Sequence, residues 1–340
     1  KYYILDLQPG KSLIEYLVGK GHTVFVISWK NPGREDRDLG MEAYRREGVM
    51  EALDAVTTIV PERKVHAVGY CLGGTLLLIA AAAMARDGDD RLASMSLLAA
   101  QADFTEPGEL ELFIDESQVT FLEDMMWEEG YLDGSQMAGA FQLLRSKDLI
   151  YSRMVREYLM GERSKMIDLM AWNADTTRLP YRMHSEYLRR LFLNNDLVEG
   201  RFDVAGQPVH IGDIQAPTFA VGTEKDHIAP WRSVYKINRF LYRAEVTFTL
   251  TTGGHNAGIV TPPGHPRRTY RSLTRGLQAP YLPADQYLEQ APQQAGSWWP
   301  EWEGWLREHS GSRVSPPAMG TSEGPYQPLE GAPGTYILQD

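Results

Sequence analysis

The stretch Val65-His-Ala-Val-Gly69-Tyr-Cys71-Leu-Gly73-Gly74 determines how this chain folds. Its β-branched and apolar start predicts a buried strand, and the apolar run that follows predicts a helix to about residue 86. A cysteine between glycines at a strand-to-helix turn is typical of a nucleophile elbow, which holds its central residue in a strained conformation. A side chain at either flanking glycine, Gly69 or Gly73, is expected to collide with the neighbouring strand or helix. The pattern therefore predicts that Cys71 is a nucleophile at a helix N-terminus, where the helix dipole favours a thiolate.

Further strands and helices alternate around this turn. Ser12-Leu-Ile-Glu15 is a capping-box pattern that predicts a helix start, and Gly21 is expected to end that helix. Strands are predicted at residues 22–28, 92–99, 218–222 and 246–250, and helices at residues 41–59 and 230–241. Strands that alternate with helices predict a parallel sheet with helices on both faces.

The sequence changes character in the middle of the chain. Residues 102–205 show no clear strand and are rich in Met, Leu, Tyr, Glu and Arg at helical spacing, which predicts a mostly helical cap. The core is then built from residues 1–101 and 206–280, and residues 281–340 form a Trp-rich helix with a Pro- and Gly-rich tail. Because the chain opens at Lys1 inside a predicted strand or loop, we expect the early strands of the sheet to precede it.

Candidate partners for the nucleophile follow two of the later strands. Asp226 lies in the loop after the strand at 218–222, and His255 lies in a Gly-rich loop after the strand at 246–250. Open α/β sheets place their sites at the carboxyl ends of strands, so these side chains are expected to meet Cys71. The order nucleophile, acid, histidine is that of the α/β-hydrolase fold. The predicted fold class is therefore an α/β-hydrolase with a mostly parallel sheet, helices on both faces and a helical cap insertion, and Cys71, Asp226 and His255 are its predicted triad.

Several neighbouring groups have more than one interpretation. Glu224 is a rival to Asp226 as the acid, and His227 either orients this loop or touches the substrate. The backbone N–H of Leu72 is the predicted oxyanion donor, and the second donor is expected in a loop at or before Lys1. His66 lies within a predicted strand and is expected to be structural. A surface role is expected for His22, His184, His210, His265 and His309.

The composition is that of an ordinary globular protein, with 43% hydrophobic and 23% charged residues. A net charge of −11 argues against a nucleic-acid binder, and an anionic substrate would need a local cationic patch. The single cysteine excludes a disulfide within the chain and a zinc–thiolate cluster, and it favours a reducing, cytoplasmic compartment. No metal site is predicted. No transmembrane segment is predicted either, because the apolar run at 75–85 is too short for a span of roughly 20 residues.

Taken together, these residues resemble the class I polyhydroxyalkanoate synthases. The resemblance covers nearly the whole chain and includes the cysteine in the elbow. The other matching motifs are Lys1-Tyr-Tyr-Ile-Leu-Asp-Leu7, His22-Thr-Val-Phe, Ser28-Trp-Lys-Asn-Pro32, Trp172-Asn-Ala-Asp175, Asp226-His-Ile-Ala-Pro-Trp231, Gly254-His255 and Gly296-Ser-Trp-Trp-Pro300. The family's N-terminal region has no counterpart before Lys1, so the resemblance is to the catalytic domain.

The resemblance implies polymerisation of (R)-3-hydroxyacyl-CoA, with 3-hydroxybutyryl-CoA as the expected substrate, into a polyester with release of CoA. In that interpretation His255 activates Cys71, which carries the acyl group, and Asp226 with His255 helps deprotonate the hydroxyl of the next unit. No cofactor is implied, because the CoA thioester is the substrate. The family also implies a homodimer that resides in the cytoplasm on polyester granules, with the growing polyester as a further partner.

Two other functions stay open on the residues alone. A thioesterase, a polyester depolymerase or a dienelactone-type hydrolase on the same scaffold would carry a similar elbow, acid and histidine. The cysteine disfavours lipases and most depolymerases, since these use serine. A non-catalytic granule-associated subunit would have no chemical need for Cys71, Asp226 and His255 together.

Two further clusters have a functional and a structural interpretation. The tryptophans at 298, 299, 302 and 305 form either an adhesive surface for polymer or a partner, or a helix packed onto the core, and packing is favoured. Arg267, Arg268 and Arg271 either meet CoA phosphates or form a solvated charge run, and the solvated run is favoured.

Overall fold

A computed structural model describes residues 1–132, 159–161, 167–175 and 177–339 of the chain. Its centre is a six-stranded sheet in the order β1-β2-β5-β6-β7-β8, beside a two-stranded ribbon of β3 and β4. The strands are β1 (Val65–Tyr70), β2 (Leu92–Leu98), β3 (Asp203–Val204), β4 (Gln207–Pro208), β5 (Thr218–Thr223), β6 (Val246–Thr251), β7 (Thr269–Arg275) and β8 (Gln293–Ala295).

The α-helices surround this sheet. They are α1 (Leu13–Gly19), α2 (Met41–Ala43), α3 (Glu51–Ile59), α4 (Leu72–Asp87), α5 (Glu116–Glu129), α6 (Asp168–Ala174), α7 (Tyr181–Glu186), α8 (Trp231–Tyr235), α9 (Ile237–Phe240), α10 (Ala284–Gln290) and α11 (Trp299–Glu308). Two π-helical stretches, Tyr44–Met50 and Tyr187–Leu193, continue α2 and α7. Short 3-10 turns lie at Tyr2–Leu5, Arg34–Asp36, Gly108–Phe113, Ile211–Asp213 and Tyr336–Leu338. In the described part of the chain, no helix combines the length and the apolar character that a membrane span requires.

The sheet is mostly parallel, as predicted. Strands β1, β2, β5 and β6 pair in parallel, and β7 and β8 add antiparallel pairs at the far edge. Successive side chains of a strand point to opposite faces. In β5, Ala220 accordingly joins the core cluster of α4, whereas Phe219 and Val221 join the cluster of α1 and α11. Helices therefore cover both faces of the sheet, which is the arrangement that buries parallel strands.

The prediction of a strand at residues 22–28 is wrong. In the part of the chain that the structure describes, this segment pairs with no strand, and Phe25 and Val26 are 43% and 44% exposed. Strand β1 is therefore an edge of the sheet, and its Val68 is 42% exposed. The β-branched composition fits a strand, but pairing needs a neighbour at the correct distance, and composition carries no information about that neighbour.

The predicted helices form with two differences. Ser12 caps α1 by accepting a hydrogen bond from the Glu15 N–H at 2.8 Å, but the Glu15 carboxylate accepts from Gly10 rather than closing the capping box. The helix predicted at 41–59 is confirmed, with a π-helical centre. The helix predicted at 230–241 is divided into α8 and α9.

The predicted cap is only partly described. Its described residues between 102 and 205 include α5, α6, α7 and the π-helical stretch that follows α7. Residues 133–158, 162–166 and 176 of this insertion lie outside the described part. The division of the chain into core and cap stays a prediction.

The turn at Cys71 has the strained backbone that the sequence predicts, with φ 53° and ψ −126°. A Cβ at Gly69 would lie 2.5 Å from the Gly74 Cα, and a Cβ at Gly74 would lie 2.4 Å from the Ala100 Cβ. At Gly73 a Cβ would meet nothing within 4 Å, so the collision predicted there is wrong. Gly73 points outward from the first turn of α4, and Gly74 is the residue that lets this helix approach the sheet.

The C-terminal tryptophans pack onto the core, as favoured above. Trp298, Trp299 and Trp302 are at most 1% exposed and Trp305 is 8% exposed. The Trp302 indole donates to Ser96 Oγ of β2 at 2.8 Å. A buried indole N–H usually needs such a partner, so this bond fixes α11 against the sheet.

His184 is buried, which corrects the expectation of a surface role. It lies in α7 with 6% of its surface exposed, and its Nδ1 has no hydrogen-bond partner. Burial lowers the pKa of His184 from 6.5 to about 4, because a charged imidazolium is poorly solvated there.

We expect His184 to destabilise the fold in acid. The unfolded chain binds a proton below about pH 6.5 and the folded chain only below about pH 4, so stability falls as pH drops through this window, by roughly 3 kcal/mol. In His184→Leu this loss should vanish, as measured by urea unfolding at pH 7, 5.5 and 4. The control is the same change at the exposed His210. An unchanged acid dependence in His184→Leu would contradict the prediction.

The elbow glycines give a matched set of variants. Gly69→Ala and Gly74→Ala should each lower the free energy of unfolding by about 2 kcal/mol or more, because the new methyl has no space. Gly73→Ala should be neutral or stabilise by up to about 1 kcal/mol, since alanine favours a helix over glycine. Thermal unfolding of the three variants checks this, and equal destabilisation by all three would contradict it.

Candidate active site

Three loops bring the predicted catalytic side chains to one edge of the sheet. Cys71 lies between β1 and α4, Asp226 lies in the loop after β5, and His255 lies in the loop after β6. The strands before these loops run parallel, so their carboxyl ends lie at the same edge. His255 Nδ1 lies 2.8 Å from Asp226 Oδ2, and both side chains are buried.

The carboxylate of Asp226 is fully hydrogen-bonded. Its Oδ1 accepts from the backbone N–H groups of Ile228 and Ala229, both at 2.9 Å, and its Oδ2 accepts from Thr223 Oγ1 at 3.1 Å. These donors stabilise a buried charge and fix its orientation towards His255. The rival acid Glu224 is exposed, so the buried carboxylate beside the histidine is that of Asp226.

The electrostatic environment of His255 is set by two acidic groups, Asp226 and Cys71. Burial lowers its pKa, but hydrogen bonds with Asp226 and Cys71 and the charges of both groups outweigh burial and raise the pKa to about 10. With Nδ1 used by Asp226, the other ring nitrogen is the one that serves Cys71. Cys71 is partly exposed, which leaves the predicted nucleophile open to an approaching substrate.

Two residues of this site were missed by sequence reasoning. Thr223 ends β5 and orients Asp226, and its position three residues before an aspartate in a turn is a signal that could have found it. Tyr70 stacks on the His255 ring, with the ring centroids 5.5 Å apart at 26°. The contact of Tyr70 links β1 to the loop after β6, and spacing along the chain gives no signal for it.

The loop that carries His255 is also held from behind. Arg268 donates to the carbonyl oxygens of Thr252 and Ala257, at 2.9 and 3.2 Å. The indoles of Trp298 and Trp299 donate to the carbonyl oxygens of Gly258 and Ile259, at 3.0 and 2.8 Å. The C-terminal tryptophans therefore support the site without touching the reacting atoms.

The arginine cluster is not a solvated run as favoured above. Arg268 is partly buried, and Arg271 donates to the Ala291 carbonyl oxygen at 2.7 Å and to Gln293 Oε1 at 3.0 Å. Only Arg267 of the three is exposed. A guanidinium carries several donors in a fixed plane, which suits it to hold backbone carbonyl groups in place.

The space beside Cys71 is small and largely apolar. A cavity of about 10 Å³, room for about one water, is lined by Cys71, Leu72, Phe104, Leu110, Tyr187 and Ile228, among others. Leu72 is the first residue of α4, a position whose N–H lacks a partner within the helix. The structure therefore leaves this N–H available as an oxyanion donor. The second donor stays a prediction.

The remaining histidines have separate roles. His66 is structural, as expected, with its ring nitrogens 2.7 Å from Ser94 Oγ and 3.1 Å from Ser310 Oγ. His227 is partly exposed, and its carbonyl oxygen accepts from the Glu109 N–H at 3.0 Å. Its role at the site stays a prediction. Within the described ranges, no group of three or more His, Cys, Asp or Glu side chains is arranged to hold a metal ion.

Comparison with known proteins gives a family match and close relatives. The chain is 43% identical over 337 residues to the poly(3-hydroxyalkanoate) polymerase subunit PhaC of Rhizobium meliloti (strain 1021), covering 99% of this chain and 54% of that protein. It is 42% identical over 337 residues to the poly(3-hydroxyalkanoate) polymerase of Methylorubrum extorquens, covering 99% and 55%. The chain thus spans about half the length of the curated relatives it matches. A solved structure, the monoacylglycerol lipase of Paleococcus ferrophilus, is 14% identical with a TM-score of 0.45 and covers 88% of each chain.

The family model is that of the alpha/beta hydrolase fold, and it matches residues 4–262. This range runs from within the first helical turn into the loop between β6 and β7, past His255. It contains the elbow and both loops that bring Asp226 and His255 to Cys71. Because the match covers most of the sequence and the structure has the corresponding sheet, this chain belongs to the alpha/beta hydrolase fold family.

Proposed function

We propose that this chain is the catalytic part of a poly(3-hydroxyalkanoate) polymerase, which joins (R)-3-hydroxyacyl units from CoA thioesters and releases CoA. The observation that carries the proposal is a buried histidine whose Nδ1 lies 2.8 Å from a buried carboxylate, at the same sheet edge as an elbow cysteine. The similarity to named polymerases over 99% of the chain supports it. No cofactor is needed, because the CoA thioester brings the activated acyl group.

Acylation is a thioester exchange. The Cys71 sulfur attacks the acyl carbon, the new carbon–sulfur bond forms, and the bond to the CoA sulfur breaks. The Leu72 N–H stabilises the oxyanion, a contribution of roughly 3–4 kcal/mol per donor in other enzymes. The proton on His255 goes to the departing CoA sulfur. A thiolate suits this step because it attacks a thioester well and also leaves well.

Elongation consumes the acyl-enzyme. The 3-hydroxyl of the next unit attacks the acyl carbon on Cys71, and His255 takes the hydroxyl proton. The ester bond forms, the carbon–sulfur bond to Cys71 breaks, and the sulfur is free for another round. Asp226 has no exposed side-chain surface, so it acts through His255 by stabilising the imidazolium that forms.

Water must be kept from the acyl-enzyme, since hydrolysis would end the chain. The apolar lining beside Cys71, with Phe104 and Leu110, supports such exclusion.

The proposal has four further parts. We propose that the protein is of class I, that its substrate is 3-hydroxybutyryl-CoA, that it forms a homodimer, and that it resides in the cytoplasm on polyester granules.

Cys71→Ala should abolish both CoA release and labelling of the protein by a radioactive hydroxyacyl-CoA, because no other cysteine of the chain can carry the acyl group. The measurement is a CoA-release assay on purified protein with polymer recovered. Turnover at the wild-type rate in this variant would refute the proposal. Free hydroxy acid in place of polymer from the wild type would indicate a hydrolase instead.

Asp226→Asn should slow elongation more than the first acylation. Acylation starts from a proton already on His255, whereas elongation requires His255 to remove one, which a neutral neighbour supports poorly. Single-turnover acylation and steady-state polymer formation separate the two rates. Glu224→Gln in the same loop is the matched control, expected to leave both rates unchanged because Glu224 is exposed. Equal slowing of both steps by Asp226→Asn would contradict the division.

A further inference from the structure

The aromatic ring next to the nucleophile contacts the base. Tyr70 is the last residue of β1 and directly precedes Cys71. Its ring lies against the His255 ring at 5.5 Å and 26°, an offset stacked arrangement. Its hydroxyl donates to Asn256 Oδ1, and the His255 carbonyl oxygen lies 3.3 Å away as a weaker second acceptor. One side chain thus holds the imidazole face and the backbone that carries it.

We propose that Tyr70 is the positioning residue that fixes the plane of the His255 ring, so that one nitrogen meets Asp226 and the other meets Cys71. The Asp226 contact holds Nδ1 in place but leaves the imidazole plane free to tilt about that atom. Stacking on a neighbour from β1 removes this freedom. This inference rests on the proposed function only for its consequences in turnover, because the contacts exist without substrate.

Tyr70 can keep this role over a wide pH range. Burial raises its pKa well above 10, and the nearby Cys71 and Asp226 add to the shift. The phenol therefore stays a neutral donor under ordinary conditions. The titratable groups that the structure places against the imidazole are Cys71, Asp226 and Tyr70. Of these, only Tyr70 contacts the face of the ring.

The single cysteine of the chain gives a readout that does not depend on polymer formation. The rate of Cys71 alkylation by iodoacetamide is followed by mass spectrometry of its peptide. This rate reports how strongly His255 activates the Cys71 sulfur. We expect Tyr70→Phe, which keeps the ring and loses the hydroxyl, to alkylate about threefold more slowly at pH 7. Tyr70→Leu, which loses both contacts, should alkylate about tenfold more slowly.

The pH profile of alkylation separates positioning from simple packing. His255, with its pKa near 10 in the wild type, should lose its proton at lower pH in Tyr70→Leu, because a mobile ring bonds Asp226 and Cys71 less often. In turnover, kcat should fall in both variants with KM unchanged, since Tyr70 does not line the cavity beside Cys71. A purely structural residue would not move the pH profile.

Tyr287→Phe is the matched control. Tyr287 is 1% exposed, and its hydroxyl donates to the Arg271 carbonyl oxygen at 2.9 Å with the Phe248 carbonyl oxygen 3.3 Å away. Its hydroxyl bonds two carbonyl oxygens as that of Tyr70 bonds two oxygens, but neither belongs to the loop that carries His255. The Tyr287→Phe variant should therefore lose stability in thermal unfolding without any change in alkylation. If Tyr287→Phe slows alkylation as much as Tyr70→Phe, the effect is loss of packing and the proposal is wrong.

The two proposals fail separately. If folded Tyr70→Phe and Tyr70→Leu alkylate at the wild-type rate with the wild-type pH profile, Tyr70 does not position the ring. If the wild type releases no CoA but the Tyr70 variants show the expected alkylation, the proposed function fails and the positioning role is supported. If Tyr70→Leu fails to fold, the comparison of alkylation rates between Tyr70→Phe and Tyr287→Phe still tests the proposal.

Discussion

The contact between Asp226 and His255 is the interaction on which the rest of the site depends. Burying a carboxylate costs folding free energy unless its oxygens accept hydrogen bonds. Here two backbone N–H groups and the Thr223 hydroxyl donate to it, in addition to the contact with the imidazole. The two loops leave neighbouring strands, β5 and β6, whose register pairs Thr223 with Thr251. The sheet therefore places the two loops side by side, and the Lys225 N–H joins them directly by donating to the Gly253 carbonyl oxygen at 2.9 Å.

The strained turn at Cys71 is held by its surroundings. The Cys71 N–H donates to the Leu98 carbonyl oxygen at 2.9 Å, and the Cys71 carbonyl oxygen accepts from the Gly74 N–H at 2.9 Å. A positive φ at a residue with a side chain persists only when neighbouring contacts determine it. Those contacts exist because the glycines at 69 and 74 let the backbone of β1 and the first turn of α4 approach each other closely.

Support for the histidine comes from distant parts of the chain. Arg268 in the segment before β7 and the indoles of Trp298 and Trp299 hold the carbonyl groups of the loop around His255. Tyr70, at the end of β1, stacks on the His255 ring itself. The orientation of the base thus combines contacts from β1, from the start of β7 and from the C-terminal helix. The buried tryptophan cluster is therefore part of the support for the loop that carries His255.

The sequence by itself determined the alternation of strands and helices, the elbow at Cys71 and the order of Asp226 and His255, because these depend on local composition and on motifs a few residues long. Only the tertiary structure decided that residues 22–28 form no paired strand, that Gly74 rather than Gly73 makes the close approach, and that His184 is buried. The same holds for Arg268 and Tyr70, whose partners lie on other segments. Pairing, close approach and burial are relations between segments distant in the chain, and local patterns of side chains carry no record of them.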